Sequence, residues 1–222
     1  ERVILVGDAM QLGPVILSNK CREARYDFTL IQRVLVNGLK SSSSMLSIQY
    51  RMHPEILKFS NDAFYHGKMR TDKSILDRKW EIPDVLPWPN KDVPLFYWNI
   101  KKAAEEPSSD GRSLLNQSEV FSIASIIDHM ALKGVQPESI GVITPYSAQE
   151  AILINNLSYI CDHVDSDYID VIEISSVDAF QGREKDFIIF STVRANDTHT
   201  IGFCVDKRRL NVSVTRAKYG IV

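Results

Sequence analysis

Four short segments carry the side chains best suited to chemistry. The first, Gly7-Asp8-Ala9-Met10-Gln11-Leu12-Gly13-Pro14, directly follows an apolar run. An amide such as Gln11 at the end of a strand can orient a water or sense a phosphate through neutral hydrogen bonds. The second is Gln49-Tyr50-Arg51-Met52-His53-Pro54. Its Arg51 offers a guanidinium fork that matches phosphate oxygens, and Tyr50 offers a ring on which a base can stack. The third, from Ser175 to Asp186, gathers Gln181, Gly182 and charges of both signs in one loop, a mixture able to bond sugar hydroxyls and phosphate together. The fourth runs from Asn211 to Lys218 and carries Arg216, expected to project from a crowded helix toward a cleft. Taken singly, each segment has a plainer reading: a solvated glutamine, a surface arginine beside a core tyrosine, a charged turn, and a helix with a salt-bridged arginine.

These side chains need elements to hold them. Arg2 to Val6 reads as a buried strand stopped by Gly7-Asp8, and Asp27 to Gly38 as a helix. After the serine loop at 41–44, Met45 to Gln49 reads as a strand. A helix runs from Pro54 to about His66, with Gly67 as its stop. Residues 71–116 are irregular and hold five of the nine prolines and all three tryptophans; Leu95 to Ile100 is the expected strand there, and Glu105 to Gly111 the expected solvated, mobile loop. Asn116 and Glu119 have the spacing of a capping box. Beyond them Val120, Ile123, Ala124, Ile127 and Met130 share one helix face that ends at Gly134. Strands are expected at Ile140–Thr144, Ile169–Ile174 and Phe187–Val193, helices at Ser147–Leu157 and Arg209–Lys218, and a further strand from Tyr219 to Val222. Strands alternating with helices predict an α/β fold, a parallel sheet with helices on both faces.

Composition narrows the classes further. The 222 residues allow one large or two unequal domains, and 44% hydrophobic with 24% charged residues excludes a mainly disordered chain. No apolar run approaches the length of a membrane span, and no signal-peptide pattern opens the chain. Cys21, Cys161 and Cys204 lie far apart, which argues against a disulfide framework and a zinc site and fits a reducing, cytoplasmic setting. The net charge of −2 is uneven: residues after Gln181 sum to +4 and the rest to −6. A basic end on an acidic body suggests an anionic partner.

Taken together and in this order, the four segments resemble the superfamily one RNA and DNA helicases, whose motor is a pair of RecA-like domains with ATP between them. GDAMQLGP resembles the third motif of that family, QYRMHP its fourth, SSVDAFQGREKDFIIFSTVRAN its fifth and RRLNVSVTRAK its sixth. QYRMHP and VDAFQGREKD are the most specific strings, and they are most similar to the up-frameshift branch, the helicases of nonsense-mediated mRNA decay. The resemblance implies that Gln11 contacts the γ-phosphate or the attacking water, that Tyr50 stacks near the adenine, and that Arg51 and Arg216 are arginine fingers. It implies that Gly182 and Glu184 lie near the ribose. It implies that Thr144, Pro145, Tyr146, Ser175, Ser176 and Val177 contact the backbone of single-stranded RNA.

The departures from that family are equally informative. The sequence has no GxxxxGK[ST] and no acidic DEAA-type pair after a strand, and five histidines and three cysteines do not build the family's zinc region. The expectation is therefore a fragment, inactive alone, whose Mg2+ ligands and phosphate loop lie elsewhere: residues 1–49 as the end of a first RecA-like domain, and residues 50–222 as the second, of P-loop NTPase type. Its partners would be single-stranded RNA, the rest of the first domain and mRNA-decay factors. A DNA helicase of the same superfamily, or a binding module without ATPase activity, are the rival readings.

Overall fold

The computed structural model describes residues 3–38, 43–78 and 84–222. Arg2 of the first expected strand, Ser41 and Ser42 of the serine loop, and residues 79–83 of the irregular stretch lie outside them. The chain opens in irregular backbone rather than in the expected strand. Val3, Ile4 and Val6 are exposed and residues 3–8 pair with no strand. A strand needs a neighbour to satisfy its N–H and C=O groups, and no strand among the described residues lies alongside. Helix α1 (Asn19–Glu23) and helix α2 (Leu30–Val36) follow. The second is shorter than the expected 27–38 because Thr29 closes it: its Oγ1 accepts from the Gln32 amide while the Gln32 side chain accepts from Thr29 N, a complete capping box.

Strand β1 (Ile48–Gln49) pairs in parallel with β2 (Arg70–Thr71) around helix α3 (Pro54–Tyr65). Pro54 fills the first turn, and the helix ends where His66 and Gly67 both turn left-handed, as its sequence signals required. A short α4 (Lys73–Leu76) comes next. The expected mobile loop is instead docked: β3 (Glu106–Pro107) pairs antiparallel with β4 (Leu114–Leu115), and the Glu105 carboxylate accepts from Ala195 N at 3.0 Å and Asn196 Nδ2 at 2.9 Å. Leu95 to Ile100 does not form the expected strand; Leu95 makes a single parallel bridge to Ile221.

The rest is a regular α/β unit. Helix α5 (Gln117–Leu132), strand β5 (Ile140–Thr144), helices α6 (Ser147–Ile160) and α7 (Ser166–Val171), strands β6 (Glu173–Ser176) and β7 (Lys185–Phe190), helix α8 (Lys207–Val214) and strand β8 (Ala217–Ile221) succeed one another. The four strands form one parallel sheet in the order β6-β5-β7-β8. Several expected boundaries move: the strand expected at Phe187–Val193 runs from Lys185 to Phe190, the one expected from Tyr219 starts at Ala217, and the helix from Ser147 extends to Ile160. The run 169–174 is split between α7 and β6, because an apolar stretch this short does not distinguish helix from strand. The expected helix over 209–218 starts earlier and ends at Val214, so Arg216 lies between α8 and β8. The cap before α5 is also only half a box: Asn116 accepts from Glu119 N at 3.2 Å, but the Glu119 carboxylate turns inward to Ser191 and to Val193 N.

Successive side chains of the sheet alternate between two cores. Ile140 and Val142 of β5 and Phe187 and Ile189 of β7 pack with the predicted stripe of α5 and with Leu153 and Leu157 of α6. Ile143, Ile188 and Ile221 face the other way, against Phe180 and against Met52, Ile56 and Leu57 at the start of α3. Burial on both faces is why these strands read as apolar runs. Gly141 is demanded by the second core: a Cβ there would lie 2.9 Å from both Ile188 Cδ1 and Phe180 Cζ.

Candidate functional site

The Gln49–Pro54 segment is a turn shaped by one buried amide. Gln49 Oε1 accepts from Arg51 N at 2.8 Å and Met52 N at 2.9 Å, while its Nε2 donates to Met52 O. His53 N donates to Lys218 O at 3.0 Å, which ties the turn to β8, and His53 Nδ1 accepts from Glu55 N to cap α3. Held this way, Arg51 reaches the amino ends of β7 and β8. Its Nε donates to Glu184 Oε2 and its Nη1 to Thr215 O at 2.9 Å. Tyr50, next to it, is 63% exposed.

Arg216 stands behind Arg51 and is only 3% exposed. Its Nε donates to Val212 O at 2.9 Å, Nη1 to Arg183 O at 3.3 Å and Nη2 to Thr215 Oγ1 at 2.8 Å. The expected projection into a cleft is therefore not what the fold builds: the guanidinium is buried against the Val212 carbonyl of α8, the Arg183 carbonyl of the turn before β7 and the Thr215 hydroxyl. Burial, and then the positive charge of Arg51, lower its pKa to about 10, so it stays charged at neutral pH.

Gln11 reaches the same corner by a different route. Its Nε2 donates to Asp8 Oδ2 at 2.9 Å, and the same oxygen accepts from the Tyr65 hydroxyl at 2.7 Å. That hydroxyl accepts in turn from Asn211 Nδ2 at 2.9 Å, which also donates to Met10 O at 2.9 Å. Gly182 sits at φ +87 in the exposed turn before β7, where a side chain would be strained. Glu184 follows. Burial alone would raise its carboxyl pKa, but Arg51 and Lys218 outweigh burial and hold it below the ordinary value. Gln11, Arg51, Gly182, Glu184 and Arg216 thus converge, with Tyr50 exposed at the rim.

The six residues expected to touch RNA lie elsewhere, at the carboxyl ends of β5 and β6, where Thr144 pairs with Ser176. Strands of this length separate the two groups by roughly 15–20 Å. Thr144, Tyr146, Ser175 and Val177 have buried side chains. Tyr146 packs edge-on against Phe203 with its hydroxyl accepting from Phe203 N, and Thr144 Oγ1 accepts from Tyr146 N. Only Pro145 and Ser176 of the six are partly exposed.

Among the described residues, no cluster of His, Cys, Asp and Glu is suited to a metal ion, and no helix is long and apolar enough to cross a membrane. The donors at the corner fit phosphate oxygens: a half-buried arginine fork, a second, buried cation and a neutral amide. Tyr65, Asn211 and Thr215 went unassigned in the sequence. Tyr65 carries no local signal beyond closing a helix, whereas Asn211 and Thr215 lie inside a segment already singled out and were passed over for Arg216.

Sheet order, helices on both faces and the arginine corner define a RecA-like α/β domain of the P-loop NTPase type. The chain matches the AAA domain family over residues 26–222 and belongs to it. Over all 222 residues it is 41% identical to "Regulator of nonsense transcripts 1 homolog" of Drosophila melanogaster, covering 18% of that protein. It is 43% identical to "ATP-dependent helicase NAM7" of Saccharomyces cerevisiae and 40% identical to "ATP-dependent helicase upf1" of Schizosaccharomyces pombe, covering 22% and 24% of them. The chain thus spans about a fifth of the length of these relatives.

Proposed function

We propose that this chain is the second half of the motor of an ATP-dependent RNA helicase acting in cytoplasmic nonsense-mediated mRNA decay. The observation that carries the reading is the convergence of Gln11, Arg51 and Arg216 at the amino ends of β7 and β8. Residues 1–49 belong to the end of a first RecA-like domain, and residues 50–222 form the second. The exposed apolar side chains of Val3, Ile4 and Val6 support that division.

ATP, as its Mg2+ complex, is the substrate. Arg51 meets the transferring phosphoryl group: phosphate oxygens offer its fork the bidentate chemistry that a carboxylate such as Glu184 offers. Arg216 adds a buried positive charge that needs no reorganisation when charge develops on the phosphate oxygens. Gln11 orients the attacking water. Tyr50 stacks on the base, and Gly182 and Glu184 adjoin the ribose. Magnesium ligands and the phosphate loop come from outside these residues. Single-stranded RNA runs along the opposite end of the sheet, past Pro145 and Ser176, so one rigid sheet links nucleotide state to grip on RNA. The remainder of the first domain and mRNA-decay factors are its partners.

ATPase measurement on the full-length protein, with and without single-stranded RNA, tests this. Hydrolysis stimulated by RNA and little by DNA supports it. A full-length protein without ATPase activity, or RNA-stimulated turnover by residues 1–222 alone, overturns it.

A further inference from the structure

A hydrogen-bonded chain links the catalytic candidates, and its centre is a residue with no assigned role. Gln11 Nε2 and the Tyr65 hydroxyl share Asp8 Oδ2, and the hydroxyl accepts from Asn211 Nδ2. From Asn211 the connection continues through its main chain. Thr215 Oγ1 donates to Asn211 O at 2.7 Å, Arg216 Nη2 donates to Thr215 Oγ1, and Arg51 Nη1 donates to Thr215 O. Tyr65, the last residue of α3, therefore stands between the Gln11 loop and both arginines.

We propose that Tyr65 is a positioning residue for Gln11, its hydroxyl tying the 8–11 loop to Asn211 of α8, the helix that leads into Thr215 and Arg216. The proposal rests on the reading of Gln11 as a nucleotide contact. Three features favour a dedicated tie over incidental packing. The hydroxyl is used in both directions, donating to a carboxylate and accepting from a buried amide. Both Asn211 Nδ2 bonds go to the tie, one to Tyr65 and one to Met10 O. The fully buried Asn211 Oδ1 meanwhile has no hydrogen-bond partner among the described residues. An asparagine placed for stability alone would not leave a buried acceptor unpaired. Burial first, and then Asp8, push the Tyr65 hydroxyl pKa up to about 12, so it keeps its proton across the working range.

Tyr65→Phe keeps the ring and removes the tie. In the 222-residue chain, amide exchange at Met10 and Gln11 should accelerate about tenfold, as expected for loss of one hydrogen bond to a charged group, while α5 is unchanged. In the full-length protein, kcat should fall about tenfold with the KM for ATP held within about twofold, the signature of lost positioning rather than lost binding. The surface variant Asp8→Ala removes the acceptors of Met10 N and Gln11 Nε2 as well, so its losses should be at least as large, and adding Tyr65→Phe to it should have little further effect on kcat. Unchanged exchange at residues 10–11, or additive losses in the double variant, overturn the proposal. A wild-type protein without ATPase activity removes the role given to Gln11 instead, and the exchange measurement then decides the tie by itself.

Discussion

Replacing Arg51 with alanine separates catalysis from stability more cleanly than any other substitution at the corner. The stability side follows from its contacts. The ion pair with Glu184 joins side chains 28% and 39% exposed, so solvent screens it to about 0–1 kcal/mol. The bond to Thr215 O adds about 1 kcal/mol. Arg51→Ala should therefore destabilise the chain by about 1–2 kcal/mol, which for a domain of this size is roughly 2–8 °C in melting temperature. The catalytic side is far larger. An arginine finger is worth about 10³–10⁵ in turnover, or roughly 4–7 kcal/mol. Steady-state ATPase of the full-length protein under saturating RNA reads the second quantity, and thermal unfolding of the 222-residue chain reads the first. A variant that keeps turnover within about tenfold of wild type while losing the expected stability would show Arg51 to be an ion-pair residue only, and would refute the phosphate assignment.

Arg216 should behave differently, because it is buried: Arg216→Ala removes three hydrogen bonds and a packed side chain, although Val212 O keeps its bonds from Thr215, and should cost about 2–4 kcal/mol in chemical denaturation, so its loss of activity counts only beside that measurement. Arg216→Lys keeps the charge without the fork and should also lower the melting temperature, against the small effect expected of an exposed arginine. Burial is the largest influence on Glu119 and raises its carboxyl pKa despite donors from Ser191, Val193 and Thr192. A raised folded-state pKa contributes stability that is present below the unfolded value and lost as pH rises through the folded one. The stability difference between wild type and Glu119→Gln should therefore shift against wild type on going up from acid pH, as followed by urea unfolding across that range. Gly141→Ala should destabilise by about 1–3 kcal/mol through overpacking on Ile188 and Phe180, and an unchanged denaturation midpoint would contradict the close approach seen there.

Much of the architecture is written locally. The α5 stripe, the apolar runs within β5 and β7, the proline that opens α3 and the glycine that follows it depend on residues within one or two turns of each other, and periodicity reports them. The four chemical segments were legible for the same reason, as contiguous strings. What they touch was not. Arg51 meets Glu184 and Thr215, and Glu119 meets Val193, all far away in sequence, and no local pattern encodes a partner that only chain folding supplies. Tertiary structure also decided burial. It drew Arg216 out of the expected helix and packed it behind Arg51, and it covered Thr144, Tyr146, Ser175 and Val177 at the other end of the sheet. It left Val3–Val6 without a paired strand among the described residues, because an apolar sequence sets a preference for a strand while hydrogen bonds to a neighbour make one. Local sequence set the helices and apolar strands of residues 116–222 and the side chains available to chemistry; the packed sheet decided which of those side chains share a corner, because adjacency there depends on strand order, and strand order is a property of the whole chain.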